Sequence, residues 1–214
     1  AHCMFEWVYF ANVASVLDDK SVYRVRYRLG KELAKRETEN ITADHIVVPV
    51  PDTAKAAADA YAFELGVRVK EGLLRNRHLG RTFIEGTNRM AKARAKYSLN
   101  YEVLDGKKIL LVEDSVVRGT TTKSLIQYIK DKANAEEVHV RVSCPPIMFP
   151  CFYGIDMSTV TELIAARQSE QLRPGVYEPS EKTLQKIAEE IGADSIIYQS
   201  VEGLEKSIGF GNGT

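Results

Sequence analysis

The chain has 214 residues, 44% of them hydrophobic, enough to bury the core of one sizeable α/β domain with an appended part. Its 29 Lys and Arg balance 29 Asp and Glu, so no global field favours nucleic acid or an anionic membrane, and any anion site must be local. No apolar run approaches the roughly 18 residues of a membrane span, and no basic-then-apolar leader opens the chain. Three cysteines, Cys3, Cys144 and Cys151, argue against a disulfide framework and for a reducing compartment, so the sequence reads as cytoplasmic, with no nucleic-acid and no membrane partner.

Apolar, β-branched runs alternate with helical stretches, the pattern of a central parallel sheet flanked by helices. The first clear strand is His45 to Pro49. Thr53 to Leu65 is Ala-rich with helical periodicity, and Gly66 stops it. Val67 to Leu74 reads as another strand. From Arg75 to Asn100 the basic residues Arg75, Arg77, Arg81, Arg89, Lys92, Arg94 and Lys96 crowd a stretch that also holds Gly80 and Gly86, which suggests a mobile basic loop running into a short helix. Lys108 to Glu113 is a strand whose Ile109-Leu110-Leu111-Val112 core is apolar at consecutive positions, as in a central strand buried on both faces. Leu125, Ile126 and Ile129 fit one face of a helix, and Glu137 to Ser143 supplies a further strand before the Pro145-Pro146 break, where the core sheet is expected to end. Beyond Cys151 come a helix at Ser180 to Ile191, with Ser180 as N-cap, and a last strand at Ser195 to Gln199. The whole chain reads as one domain, with a core over about 20–148 and a C-terminal covering part over 149–214, frayed from Gly209 to Thr214.

The chemistry concentrates in Ile109 to Lys123, which is a buried strand, two acids, a small-residue turn and a helix start. In open parallel sheets ligands bind beyond the carboxyl ends of the strands, where Glu113 and Asp114 sit and can address a ribose or a metal. Arg118, Gly119, Thr120, Thr121 and Thr122 place a cation, a glycine and three hydroxyls at a helix N-terminus, which favours a phosphate. No Walker loop is present, since Lys123 follows threonines without the required glycine spacing. By spacing alone, Glu113-Asp114 also fits a solvated acidic turn, the threonines a generic cap, and Arg77 and Arg81 a solvated basic loop.

This segment resembles the substrate signature of type I phosphoribosyltransferases. Four further stretches, Cys3 to Ala11, Val48 to Thr53, Asn76 to Ile84 and Pro150 to Met157, are similar to the glutamine phosphoribosylpyrophosphate amidotransferases within that family. The resemblance implies the type I phosphoribosyltransferase fold with a small C-terminal hood. It implies transfer of the phosphoribosyl group of 5-phosphoribosyl-1-pyrophosphate to ammonia, giving 5-phosphoribosylamine and pyrophosphate, the first step of de novo purine biosynthesis. Residue by residue, Thr53, Glu113 and Asp114 match positions facing magnesium and ribose; Ser115, Arg118, Gly119, Thr120, Thr121 and Thr122 match the 5′-phosphate loop; Arg77 and Arg81 match the loop that closes over pyrophosphate. Glu113 departs from the Asp more usual in the amidotransferases.

The same likeness implies homo-oligomers and purine nucleotide inhibitors. No stretch resembling the family's glutaminase domain precedes Ala1, so either an excised domain, which the ends near family boundaries favour, or a lineage that lost that domain is expected, dependent on free ammonia or on a separate glutaminase domain or chain. Cys3 and Cys151 resemble two of the four ligands of an iron–sulfur cluster that some members carry, a cluster this chain cannot complete alone. Two alternatives remain on the residues themselves: transfer to a nucleobase, and a catalytically silent binding module for the same substrate or for nucleotides.

Overall fold

In the computed structural model, which describes residues 3–76, 96–151, 159–170 and 178–209, the chain opens with a π-helical turn, Glu6–Phe10, that buries Trp7 and Val8. A hairpin follows, β1 (Val16–Leu17) against β2 (Lys20–Ser21). Asp18 and Asp19 make its turn at φ 47° and 58°, the left-handed pair of a tight hairpin. The Ser21 hydroxyl accepts a bond from the Arg24 amide and starts α1 (Val22–Ala34), whose Val22, Val25, Leu29 and Leu33 are buried at helical spacing. After β3 (His45–Pro49) comes α2 (Lys55–Leu65), closed by Gly66 in the left-handed conformation. A side-chain carbon on Gly30 would lie 2.0 Å from the Ala57 carbonyl oxygen, so the alanines of α2 and this glycine let the two helices touch through backbone.

Strand β4 (Leu73–Arg75) pairs antiparallel with β5 (Tyr97–Leu99), and a single turn, α3 (Tyr101–Leu104), follows. The strand expected over Val67 to Leu74 is therefore confined to its end. Val69 makes an isolated bridge to Val47, and Gly72 gives way to the packed Leu104 side chain before pairing begins. Of the basic stretch Arg75 to Asn100 the described residues show strand at Arg75 and at Tyr97–Leu99, and the loop and short helix expected between them lie outside the described residues. Arg77 and Arg81 lie outside the described residues.

The remaining elements are β6 (Lys108–Glu113), α4 (Thr120–Ala133), β7 (Glu137–Val142), a 3-10 turn at Val160–Glu162, α5 (Ile164–Gln168), α6 (Glu181–Ile191), β8 (Ser195–Tyr198) and α7 (Val201–Ile208). The main sheet is parallel in the order β3-β6-β7-β8, so β6 is internal, as its apolar run requires. Ile109 and Leu111 join one core cluster, with α4, α6 and α7, while Leu110 and Val112 join the other, with α2. Burial of each such side chain is worth about 1.5–3 kcal/mol, which anchors this strand from both faces. The sheet does not end at the Pro145-Pro146 break. Residues 195–198 return to add a fourth strand in register with β7, because Ile196 and Tyr198 have an apolar face to bury there.

On β7 Arg141 is fully buried. Its Nε and Nη2 donate to Glu37 Oε2 and Oε1 at 2.7 and 2.8 Å, its Nη1 donates to Ser195 Oγ at 2.9 Å, and the Tyr61 hydroxyl donates to Glu37. Burial alone would raise the Glu37 carboxyl, but the Arg141 and Tyr61 bonds overcome it and hold it at about 2, below the ordinary 4.5. The folded value is the lower one, so the stabilisation is full above 4.5 and lost as pH falls through about 2. Glu37→Gln is expected to cost about 3 kcal/mol in urea unfolding at neutral pH. The gap to the unaltered protein should narrow between pH 4.5 and 2; a gap that stays constant with pH would show that the charge contributes nothing.

Candidate functional site

The carboxyl ends of β3 and β6 open into a cleft of about 980 Å³, a volume suited to a phosphorylated sugar. Two bonds square its floor, Val50 N to Val112 O at 2.8 Å and Ser143 N to Glu113 O at 2.9 Å. Glu113, the last residue of β6, and Asp114 both face the cleft. Asp114 is 5% exposed; one oxygen accepts from the Thr53 hydroxyl and the other from Ser115 Oγ at 2.7 Å. Thr53 arrives from the turn between β3 and α2, in which the Pro51–Asp52 peptide is cis. Burial, and then the adjacent Asp114 carboxylate, push the Glu113 carboxyl well above its usual range. Burial also raises Asp114, against the Thr53 and Ser115 bonds and the attraction of Arg26 and Lys96.

Two carboxylates that resist ionisation beside a hydroxyl form a hard oxygen donor set. Thr53, Glu113 and Asp114 therefore fit magnesium. A second cluster of metal-ligating types, His45, Glu137 and His139, brings its donor atoms within 4.8 Å of one another at the opposite edge of the sheet. It does not fit magnesium. Glu137 is engaged by Lys108 Nζ at 2.6 Å and by His139 at 2.8 Å, and His45 Nδ1 accepts from the Thr42 amide at 3.0 Å, which leaves the proton on its other nitrogen.

Helix α4 points its start into the same cleft. Gly119 is its N-cap at φ 75°, and no side chain caps the first turn, so the amides that follow are available to an anion. Thr120, Thr121 and Thr122 line the cleft beside them. Gly119 is required twice, for its left-handed backbone and because a side-chain carbon there would meet Ile164 Cδ1 at 2.6 Å. Ile164 belongs to the piece that packs over this loop, where its amide donates to Val117 O at 2.9 Å and Glu162 pairs with Arg118 at 3.2 Å.

The cleft thus collects Thr53, Glu113, Asp114, Ser115, Arg118 and Gly119 to Thr122 on one surface. It also has residues to which the sequence assigned no role. Arg75 pairs with Asp52 at 3.1 Å, Lys96 lies 5.0 Å from the centre of the Tyr97 ring, and Phe5, Tyr9 and Phe10 form an aromatic side. Arg75 and Lys96 belonged to the visible basic stretch, but only pairing of β4 with β5 brings them to the cleft. Cys3 and Cys151 are partly buried against the core and Cys144 is sealed within it.

A model of the phosphoribosyl transferase domain matches residues 20–147, more than half of the chain and including both strands that build the cleft. The chain belongs to the phosphoribosyltransferase family. It is similar to the amidophosphoribosyltransferase of Methanothermobacter thermautotrophicus, 45% identical across 100% of this chain and 42% of that protein. The one from Methanocaldococcus jannaschii is 46% identical across 98% of this chain and 41% of its own length. Among solved structures, the B. subtilis glutamine phosphoribosylpyrophosphate amidotransferase complexed with ADP and GMP superposes with a TM-score of 0.81 at 38% identity, over 99% of this chain and 43% of that one. A structure described as the allosteric regulatory enzyme of purine biosynthesis gives 0.82 at 40% identity, over 99% of this chain and 42% of that one. The chain spans about two fifths of the length of these relatives. No helix among its described residues is long and apolar enough to cross a membrane.

In this phosphoribosyltransferase domain the folded Glu113 binds its proton more tightly than the unfolded chain does, so its charge costs stability as pH rises past the ordinary 4.5 through the raised folded value. Glu113→Gln should therefore melt higher than the unaltered protein at pH 8, by roughly 2–4 °C, with the gain fading in acid. A variant that melts lower at pH 8 would show that the pair is already compensated without a cation.

Proposed function

We propose that the domain transfers the phosphoribosyl group of 5-phosphoribosyl-1-pyrophosphate to ammonia, releasing pyrophosphate. The observation that carries this reading is the meeting, in one cleft, of a carboxylate pair at a strand end, Asp114 buried and Glu113 half-buried, with an uncapped helix N-terminus. The first suits the hydroxyls of a ribose, the second its 5′-phosphate. Likeness to the amidophosphoribosyltransferases supports ammonia as acceptor over a nucleobase.

In the reaction the bond from C1 to the pyrophosphate oxygen breaks, the bond from C1 to nitrogen forms, and ammonia loses a proton to solvent. Asp114 and Glu113 accept hydrogen bonds from the ribose hydroxyls and orient the ring. The amides of Gly119 to Thr122 hold the 5′-phosphate, and Arg118 adds positive charge at the loop. Arg77 and Arg81 would close over the pyrophosphate end, with Arg75 and Lys96 as further cations at the cleft. Thr53, Glu113 and Asp114 would hold magnesium, which neutralises charge on the departing pyrophosphate. Positioning and charge neutralisation dominate, and no side chain acts as a covalent nucleophile. Nitrogen comes from free ammonia or a separate glutaminase domain. Purine nucleotides would compete at the phosphate loop, a reading that the ADP and GMP complex of the B. subtilis relative supports. A cytoplasmic homo-oligomer belongs to the same reading.

Pyrophosphate release from substrate, magnesium and an ammonium salt at alkaline pH tests it. Release should require ammonium, and Asp114→Asn should lower kcat/KM by roughly 10- to 100-fold, the loss of one hydrogen bond to a charged group. Saturable substrate binding without ammonium-dependent release would refute the transfer and leave a binding module.

A further inference from the structure

Arg26 lies in the second turn of α1, is 3% exposed, and directs its guanidinium to the N-terminal segment. Its Nε donates to the Trp7 carbonyl at 2.8 Å and its Nη2 to the Ala11 carbonyl at 2.9 Å. One of these carbonyls lies inside the Glu6–Phe10 turn and the other belongs to its C-cap, so a single planar fork spans the turn. The turn carries an aromatic cluster, with Phe5 and Phe10 ring centres 6.0 Å apart and Tyr9 and Phe10 edge to face at 5.3 Å. All three rings line the cleft. Phe5 is buried, whereas Tyr9 and Phe10 are 47% and 50% exposed, so their own packing does not fix them.

Packing alone does not call for a guanidinium here, since a buried charge is expensive unless its donors are met and an opposite charge is near. Both conditions hold. Two backbone carbonyls take two of its donors, and it attracts the Asp114 carboxylate across the floor of the cleft. We infer that Arg26 is a positioning residue: its fork fixes the Glu6–Phe10 turn on α1 and so sets Phe5, Tyr9 and Phe10 as the wall that faces Glu113 and Asp114. A lysine would keep the buried cation but has no rigid fork with which to bridge two carbonyls. The inference rests on the proposed transfer for its catalytic consequence and on the fold alone for the clamp.

Trp7 is the only tryptophan of the chain, is fully buried and supplies one of the clamped carbonyls, so its fluorescence reports the turn without any ligand. The experiment compares the unaltered protein, Arg26→Lys and Arg26→Met by Trp7 emission and by the kinetics of ammonium-dependent pyrophosphate release. In Arg26→Lys emission should move to longer wavelength at temperatures well below its melting point. Its kcat should fall on the order of tenfold, as for a misplaced wall, while KM for 5-phosphoribosyl-1-pyrophosphate changes much less, because the phosphate loop is untouched. Arg26→Met should show the larger change in both readouts wherever it folds. Arg26→Lys with native emission and native kcat overturns the inference, as does a lowered melting point alone. If the unaltered protein turns over no substrate, the proposed transfer fails by itself, and the emission comparison decides the clamp.

Discussion

Two carboxylates fixed side by side at the end of an internal strand whose four apolar residues are fully buried are the constraint on which the proposed chemistry depends. Glu113 and Asp114 cannot retreat into solvent, because Leu110 and Val112 are held from one side of the sheet and Ile109 and Leu111 from the other. Held there, they pay in raised carboxyl pKa values, and the surrounding residues offset part of that cost. Thr53 and Ser115 donate hydrogen bonds to Asp114, and Arg26 and Lys96 supply positive charge. On the proposed reading, magnesium and a sugar would relieve that cost on binding, a common trade between stability and function.

The second half of the site uses the opposite device. Helix α4 begins at a glycine whose backbone no other residue adopts without strain, and its first amides find no side-chain cap. The Ile164 side chain fills the space above Gly119, and the Arg118 to Glu162 pair ties the same loop to the piece that covers it. The start of α4 is thus held in place by packing. On the proposed reading, the acids and these amides together would orient a phosphorylated, pyrophosphorylated ribose in the cleft.

The sequence made the parallel core legible because local and global preferences agree there. The bounds of β3 and β6, the Ala-rich α2 with its Gly66 stop, and α6 with its Ser180 cap all follow from patterns that burial then satisfies. The acids and the phosphate loop could be read because strand, acid pair and helix start are contiguous in the chain. Features built from distant residues could not. The Arg141–Glu37–Tyr61 network joins positions far apart in sequence, and β8 pairs with β7 across a long stretch of intervening chain, something its four residues do not announce. Helix α1 went unread although Val22, Val25, Leu29 and Leu33 mark its face, since Arg24, Arg26 and Arg28 dilute its apolar character. The burial of Arg26 likewise depends on contacts with the distant Trp7 and Ala11 carbonyls.

The most direct test of the account is a calorimetric titration of the protein with 5-phosphoribosyl-1-pyrophosphate in magnesium buffer, repeated in the presence of ribose 5-phosphate and then of pyrophosphate. If acids, phosphate loop and cations form one oriented cleft, the substrate binds saturably at a single site and each fragment weakens it, because each occupies one end. Competition by pyrophosphate with none by ribose 5-phosphate would mean that the cleft is a general polyanion site, and the roles given to Asp114 and the start of α4 would be wrong.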